Sequence, residues 1–284
     1  LYNKLYKLRG IYMIRERYTG SDVTVLDAAR TSGLGQLEFF HPAGTFALSP
    51  ASHILIDAIA AHQNKLQGVG LDWGCGVGCL AILAAKISNV GTVLGLDISG
   101  KNIEAAAKNA AANGIADKTA FLLSDSYTPY ASADSARLEG LRGRVDFILS
   151  NPPSSDGDDG FSYRRIVMDG AKDFLKKGGL VLLNVSLQYG PERLAALTRD
   201  GVFTYAELAA STDWVPFDLG RPELLECLKQ YACEETKGGT PYAFRASIKN
   251  DAPSLSAREA LVNYERYGIS PLTKWQTHLF RYTG

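Results

Sequence analysis

Val69-Gly70-Leu71-Asp72-Trp73-Gly74-Cys75-Gly76-Val77-Gly78 decides how this chain folds. A short apolar run ends at Asp72, and three alternating glycines follow. Helical apolar spacing begins at once with Leu80, Ile82, Leu83 and Ala85. The pattern predicts a strand, a tight turn and a helix. Glycines let the backbone turn sharply and let a ligand lie against bare main chain. The first turn of the helix offers N–H groups that have no helical partner.

Two details select the ligand. A dinucleotide fingerprint would place its third glycine at 79, where this chain has Cys79. An acid, Asp72, also stands two positions before the first glycine. A carboxylate at a strand end sits badly beside a pyrophosphate but well beside an ammonium group. S-adenosylmethionine carries an ammonium and no phosphate. The stretch Asp72-x-Gly74-x-Gly76-x-Gly78 resembles motif I of the class I S-adenosylmethionine-dependent methyltransferases. The resemblance implies S-adenosylmethionine as cofactor, with Asp72 serving its ammonium through the turn.

Downstream of this turn the chain alternates strand and helix. A strand over 92–96 leads to Asp97, about twenty residues past the glycines, where an acid reaches the ribose hydroxyls of an adenosine. A helix over 101–113 follows, with Ile103, Ala106, Ala107 and Ala110 expected inward. A strand over 119–123 ends in Ser124-Asp125-Ser126, and Asp125 is either an acceptor for the adenine amine or a turn residue. Strands are also expected over 145–149, 180–185 and 203–210, with a helix over 161–175 stopped by Gly178-Gly179.

The strand over 145–149 runs into Ser150-Asn151-Pro152-Pro153-Ser154. Two prolines stiffen the loop. They are expected to hold the Pro152 carbonyl outward, where the Asn151 side chain reaches the same point. A planar amine can donate one N–H to each, which aims its lone pair at a methyl donor. That is catalysis by positioning and needs no strong base. The pattern resembles motif IV of amino-methyltransferases acting on adenine, guanine or protein glutamine, and it makes Asn151, Pro152 and Pro153 the candidate catalytic residues. The family usually has an aromatic after the prolines; here it is Ser154, and Phe161 or Tyr163 is the nearby candidate to stack on the acceptor. Asp156-Gly-Asp158-Asp159-Gly160 begins like a calcium loop but lacks the distal Glu, since position 167 is Val, and is expected to be a mobile acidic lid. The run Asp159-Gly160-Phe161-Ser162-Tyr163-Arg164-Arg165 is similar to the segment after motif IV in the release-factor glutamine methyltransferases.

The remaining sequence says less. Residues 1–20 interleave bases and aromatics, among them Tyr2, Lys4, Arg9, Tyr12 and Arg17. Such an arm can hold a nucleic-acid strand or pack on the domain with its bases solvated, and the neutral total of 30 Lys+Arg against 30 Asp+Glu favours the second. Residues 21–48 read as irregular, with an aromatic cluster at Phe39, Phe40, His41, Pro42 and Phe46. Ser49-Pro50 starts a helix as N-cap and first residue. The segment 45–50 is similar to the stretch that runs over the methionine end of the cofactor in small-domain methyltransferases, which makes Phe46 a candidate on the acceptor side. In the tail, a helix over 222–232, a strand over 242–248, a capping box at Ser256-x-x-Glu259 and a strand over 277–282 are expected. Either tail strand could be the antiparallel strand that the resemblance implies.

These readings predict an α/β protein with a Rossmann-like, doubly wound, mostly parallel sheet, the class I methyltransferase fold. They divide the chain into an N-terminal extension (1–48), a core (49–211) and a C-terminal part (212–284) that completes the sheet and covers the acceptor site. Asp72, Asp97, Asp125 and Asn151 all fall at strand ends, where ligands of such sheets bind. Four cysteines without matching His partners imply neither a disulfide framework nor a metal site. No apolar run reaches membrane-spanning length, and a cytoplasmic setting is expected. The expected activity is methyl transfer to a nitrogen of a nucleobase, a protein glutamine or a small amine, so nucleic acid and protein are both candidate partners. The alternatives are a non-catalytic S-adenosylmethionine-binding protein, a methyltransferase for a non-amine small molecule, and an oxidoreductase, which Cys79 disfavours.

Overall fold

The computed structural model describes residues 22–45, 48–249 and 251–284. The basic-aromatic stretch 1–20 and Phe46 lie outside the described residues.

Among the described residues the central sheet has eight strands. In chain order its members are β3 (Gly68–Trp73), β4 (Val90–Asp97), β5 (Thr119–Asp125), β6 (Thr128–Pro129), β7 (Val145–Ser150), β8 (Leu175–Asn184), β9 (Phe203–Ser211) and β14 (Gln276–Tyr282). Their spatial order is β6-β5-β4-β3-β7-β8-β14-β9. From β5 to β8 the neighbours run parallel, and β14 lies antiparallel between β8 and β9. Helices α1 (Pro50–Ala61), α2 (Cys79–Ala85), α3 (Gly100–Ala112) and α5 (Ser162–Phe174) cover the faces; α4 (Ser132–Glu139) and α6 (Gly190–Ala196) are shorter connectors. This is the doubly wound α/β architecture expected of a class I methyltransferase.

Parallel strands covered on both faces read as continuous apolar runs, and the successive residues of β7 show why. Phe147 and Leu149 pack with α1 and α2 on one face, while Ile148 packs with Met168 and Phe174 of α5 on the other. Gly70 in β3 is required by packing, since a Cβ there would sit 2.4 Å from the Phe147 ring.

Several sequence-based boundaries shift. The segment read as irregular contains a hairpin: β1 (Asp22–Leu26) and β2 (Leu37–His41) pair antiparallel. The alternation in Leu37–His41, buried at Leu37, Phe39 and His41, is the signal that the aromatic cluster obscured. Helix α3 completes the hairpin edge with side chains. Asn113 and Asn109, one turn apart, accept from the backbone N–H of Glu38 and Phe40 (3.0 and 2.9 Å) and donate back to the same residues' carbonyls (2.7 and 3.0 Å). The inward face of α3 is therefore Asn102, Ala105, Ala106, Asn109 and Ala110; Ala107 is exposed. Gly178-Gly179 does not stop α5, which already ends at Phe174, because β8 begins at Leu175.

The tail folds against the carboxyl end of the sheet. Helix α7 (Pro222–Thr236) and helix α8 (Ala257–Tyr267) accompany a small sheet of β10 (Val215–Pro216), β11 (Phe244–Arg245), β12 (Ser254–Leu255) and β13 (Leu272–Thr273). The strand expected over 242–248 is only the two residues of β11, so β14 is the antiparallel member of the main sheet. The capping box forms as read: Ser256 and Glu259 exchange side-chain and backbone hydrogen bonds.

Candidate active site

The register of the sheet brings the sequence-predicted residues to one level. Trp73 pairs with Leu96 on β4 and with Ser150 on β7; Asp97 pairs with Leu123 on β5, and Ser150 with Leu183 on β8. The glycine turn, Asp97, the Ser124–Ser126 corner, Asn151 and Asn184 thus leave the sheet side by side. The strand order changes direction between β3 and β7, the place where such sheets bind ligands. A cavity of about 350 Å³ opens there.

Gly74, Gly76 and Gly78 all have positive φ (72°, 53° and 87°), a conformation that strains other residues. A Cβ on Gly74 would meet nothing within 4 Å, so this part of the turn is open toward the cavity. A Cβ on Gly78 would press to 3.0 Å of Ala106 and 3.1 Å of Phe121, so that glycine serves helix packing instead.

Asp72 is fully buried and is not among the residues lining the cavity. Its Oδ2 accepts from the Ala81 N–H at 3.0 Å, and its Oδ1 is buried without a hydrogen-bond partner. Burial pushes its carboxyl up to about 7, the Ala81 bond opposing and the nearby Asp97 charge adding. A carboxylate with an unsatisfied oxygen beneath the turn favours positive charge nearby, which suits a cationic ligand.

Asp97 lines the cavity and holds the turn at once. Its Oδ2 accepts from Gly76 N–H (2.8 Å), and its Oδ1 accepts from Ser99 N–H (2.8 Å) and Asn102 Nδ2 (3.0 Å). Burial raises its pKa despite these three bonds. The oxygen on Gly76 keeps acceptor capacity for a hydroxyl. Asp125 also lines the cavity, beside Ser126. Ser126 has φ 56° and accepts from the Trp73 indole N–H at 2.9 Å, which fixes this corner against the start of the turn. Burial pushes the Cys75 and Cys79 thiols well up, so both stay protonated.

The Asn151 amide is clamped at both ends. Its Nδ2 donates to Ser52 Oγ at 3.1 Å, at the N-terminus of α1, and its Oδ1 accepts from Asn184 Nδ2 at 2.7 Å. Pro152 departs from expectation. Its carbonyl does not simply face outward but accepts from Arg164 Nη2 at 3.0 Å, and the Pro153 carbonyl accepts from Nη1 at 3.1 Å. Arg164 Nε donates to the Asn184 carbonyl at 2.9 Å. The guanidinium is 4% exposed and lies 4.3 Å above the Tyr189 ring. Each carbonyl has two lone pairs, so the clamped oxygens can still accept from a ligand.

The aromatic candidates separate. Tyr163 lines the cavity, its ring centroid 6.1 Å from that of Trp73. Phe161 does not: it is fully buried edge-on to Tyr189 (5.2 Å), leaving no face for an acceptor. Ile166 on α5 is exposed at the cavity wall. Ser154 accepts from the Tyr231 hydroxyl at 3.1 Å, and Tyr231 belongs to α7 in the tail.

The acidic loop is not the expected mobile lid. Asp158 accepts from Ser155 Oγ (2.6 Å) and Gly160 N–H (2.7 Å), and Gln230 donates to the carbonyls of Ser155 and Asp158 (2.9 and 2.6 Å). Asp159 is gripped by Arg165 (2.5 Å) and Arg193 (3.2 Å). Burial alone would raise the Asp159 carboxyl, but the Arg165 and Arg193 bonds outweigh it and hold it at about 2.

Sequence reading missed Ser52, Arg164, Asn184 and Tyr231. Asn184 carried a faint signal, a polar residue closing the apolar run Leu180–Leu183 at the level of Asn151. Arg164 lay within the run similar to the release-factor segment, but nothing marked its role, and Tyr231 carried no signal, because both roles rest on distant contacts or on burial that charge patterning does not reveal.

Comparison with known proteins places this site in context. Residues 36–212 match the family described as methyltransferase small domain. The chain is 27% identical over 169 residues to ribosomal RNA small subunit methyltransferase C of Alcanivorax borkumensis, covering 58% of this chain and 45% of that protein. It is 30% identical over 163 residues to release factor glutamine methyltransferase of Cereibacter sphaeroides, covering 50% of this chain and 54% of that one. Against ribosomal RNA small subunit methyltransferase C of Escherichia coli it is 30% identical over 168 residues, covering 58% and 43%. The chain thus spans about half the length of these curated relatives.

Proposed function

The chain belongs to the methyltransferase small domain family, and from that premise we propose that it is an S-adenosylmethionine-dependent methyltransferase acting on a planar nitrogen. The observation that carries this reading is the single cavity shared by the open glycine turn, Asp97, Asp125 and the Asn151-Pro152-Pro153 loop.

The residues present fit the cofactor. Beneath the turn, Asp72 supplies a negative field suited to the methionine ammonium. Asp97 offers an acceptor for the ribose, and Asp125 one for the adenine amine. Bound there, S-adenosylmethionine supplies an electrophilic methyl group. The protein supplies position. Asn151 Oδ1 and the Pro152 carbonyl each keep one lone pair beyond their bonds to Asn184 and Arg164, and these two acceptors hold the N–H groups of the acceptor. Effective concentration and alignment then lower the barrier without a strong base. Tyr163 is the aromatic face beside the acceptor, while Ser154 leaves room where a larger ring would stand.

Ribosomal RNA and a protein glutamine, the acceptors in the relatives' names, both present planar nitrogen. Among the described residues no helix is long and apolar enough to cross a membrane, and we propose a cytoplasmic setting. Calorimetric titration with S-adenosylhomocysteine, with NADH as control, tests the cofactor: micromolar binding of the former alone is expected, and binding of NADH alone or of neither overturns the reading. Asn151→Ala should bind S-adenosylhomocysteine normally and lose methyl transfer; retained transfer removes Asn151 from the mechanism.

A further inference from the structure

The acceptor side of the cavity is closed by the tail. Leu224, Cys227 and Tyr231 project from one face of α7, while Phe217 and Trp275 line the cavity from the tail segments on either side of α7 and α8. This wall is bolted to the Asn-Pro-Pro loop. Gln230 holds two carbonyls of residues 155–158, the Tyr231 hydroxyl bonds Ser154 and Tyr189 (both 3.1 Å), and the Tyr242 hydroxyl bonds the Asp159 carbonyl at 2.7 Å. Tyr231 stacks on Tyr242 with ring centroids 4.2 Å apart. Gly160 makes this seat possible, because a Cβ there would lie 2.5 Å from Ser154 Oγ and 2.7 Å from the Tyr231 ring. A wall with so many fixed bonds is a preformed surface, not a flap awaiting a large partner.

Its charge points the same way. Among the described residues the cavity is lined by four carboxylates, Asp97, Asp125, Asp156 and Glu223, against two guanidiniums, Arg164 and Arg221. Arg164 has its donors occupied by backbone carbonyls while its charge remains, and Arg221 and Glu223 offset each other at 2.5 Å, so the lining keeps a negative excess carried by Asp97, Asp125 and Asp156. Asp158 and Glu226 add their charges beside Asp156, and the charges of Asp125, Asp156 and Asp158 all bear on Tyr163. A nucleic-acid strand feeding a base to Asn151 would bring its phosphates within the roughly 8 Å Debye length of these carboxylates. Aromatic and aliphatic walls with an acidic surround fit a flat body that is neutral or cationic.

We propose, resting on the methyl transfer argued above, that the acceptor is a small planar nitrogen compound without phosphate, neutral or cationic, enclosed between Tyr163 and the Leu224–Tyr231 face of α7. The full chain with methyl-labelled S-adenosylmethionine would be offered three acceptor pools. These are a panel of free heterocycles and amides (adenine, cytosine, imidazole, aminopyridine, benzamide) together with a low-mass cell extract; ribosomal RNA; and cell protein. S-adenosylhomocysteine affinity is measured alongside. Label in the low-mass pool is expected. Leu224→Trp, which fills the pocket, should lower that transfer at least tenfold while S-adenosylhomocysteine binds as before. With the cofactor product bound, label in RNA or protein overturns the proposal and spares the methyltransferase reading; so does label in no pool, or a Leu224→Trp variant as active as the parent. Failure to bind S-adenosylhomocysteine overturns both.

Discussion

Asn184 donates its side-chain N–H to Asn151 Oδ1 at 2.7 Å and to the Ala51 carbonyl at 2.6 Å, while its own Oδ1 accepts from Thr277. One asparagine at the end of β8 therefore decides which end of the Asn151 amide faces Ser52 and which carries the acceptor oxygen. Asn184→Asp keeps the shape and removes the donor, setting oxygen against oxygen. We expect S-adenosylhomocysteine affinity within about threefold of the parent and kcat at least tenfold lower, with KM for the acceptor less affected. Equal losses in cofactor binding and kcat would mean general damage and not misaimed Asn151.

Asp72 carries a pH signature. Its folded pKa of about 7 lies above the ordinary value of 3.8. A carboxyl raised on folding costs stability when it ionises. The cost is absent below about pH 4, grows through the interval and is complete above 7, reaching roughly 4 kcal/mol by linkage. Without ligand, Asp72→Asn should therefore be more stable relative to the parent at pH 8 than at pH 4, and should bind S-adenosylhomocysteine more weakly. Parallel stability–pH curves in thermal melts would contradict this account.

Asp159 has the opposite sign. Its folded pKa of about 2 is below the ordinary 3.8, so it stabilises the fold above about pH 4 and loses that contribution as pH falls through 2. The contribution is on the order of 2 kcal/mol, less some solvent screening. Urea denaturation of Asp159→Asn should show a deficit of that order at pH 7 and nearly none at pH 2. A deficit that does not change with pH would point to lost packing.

Arg164 bridges the Pro152, Pro153 and Asn184 carbonyls with three nitrogens. Lysine has one. Arg164→Lys should cost about 3 kcal/mol in urea denaturation, because hydrogen bonds from a charged donor are worth more than neutral ones. Transfer should fall more than cofactor binding. An unchanged midpoint would show that the carbonyls are held without it.

Local signals in the sequence were enough for the parallel strands at the centre of the sheet. Asp72-x-Gly74-x-Gly76-x-Gly78 marked its centre, and the strand-end positions of Asp97, Asp125 and Asn151 followed from alternation alone. The hairpin Asp22–His41 was hidden because part of its hydrogen bonding comes from Asn109 and Asn113, some seventy residues away. The acidic loop looked mobile because its anchors, Gln230, Arg193 and Tyr242, lie in later segments. Arg164 was not singled out, since charge patterning cannot reveal a guanidinium buried on carbonyls. What the sequence withheld was long-range partnership.

The placement of β14 has a consequence for how the chain is made. Among the described residues β9 joins the sheet only through β14, and β14 meets β8 through pairs such as Thr277 with Asn184, separated by 93 residues. As the polypeptide leaves the ribosome, β8 must wait with an unpaired edge until residues near 280 emerge. Such distant pairing is slow, and an open strand edge invites aggregation in the interval. The Asn184 side chain would also lack its Thr277 partner during that wait, held only by its bonds to Ala51 and Asn151. The Asn151 amide is therefore among the last parts of the molecule to acquire its final support, so a nascent chain would complete the glycine-turn side of the proposed site before the side proposed to hold the acceptor.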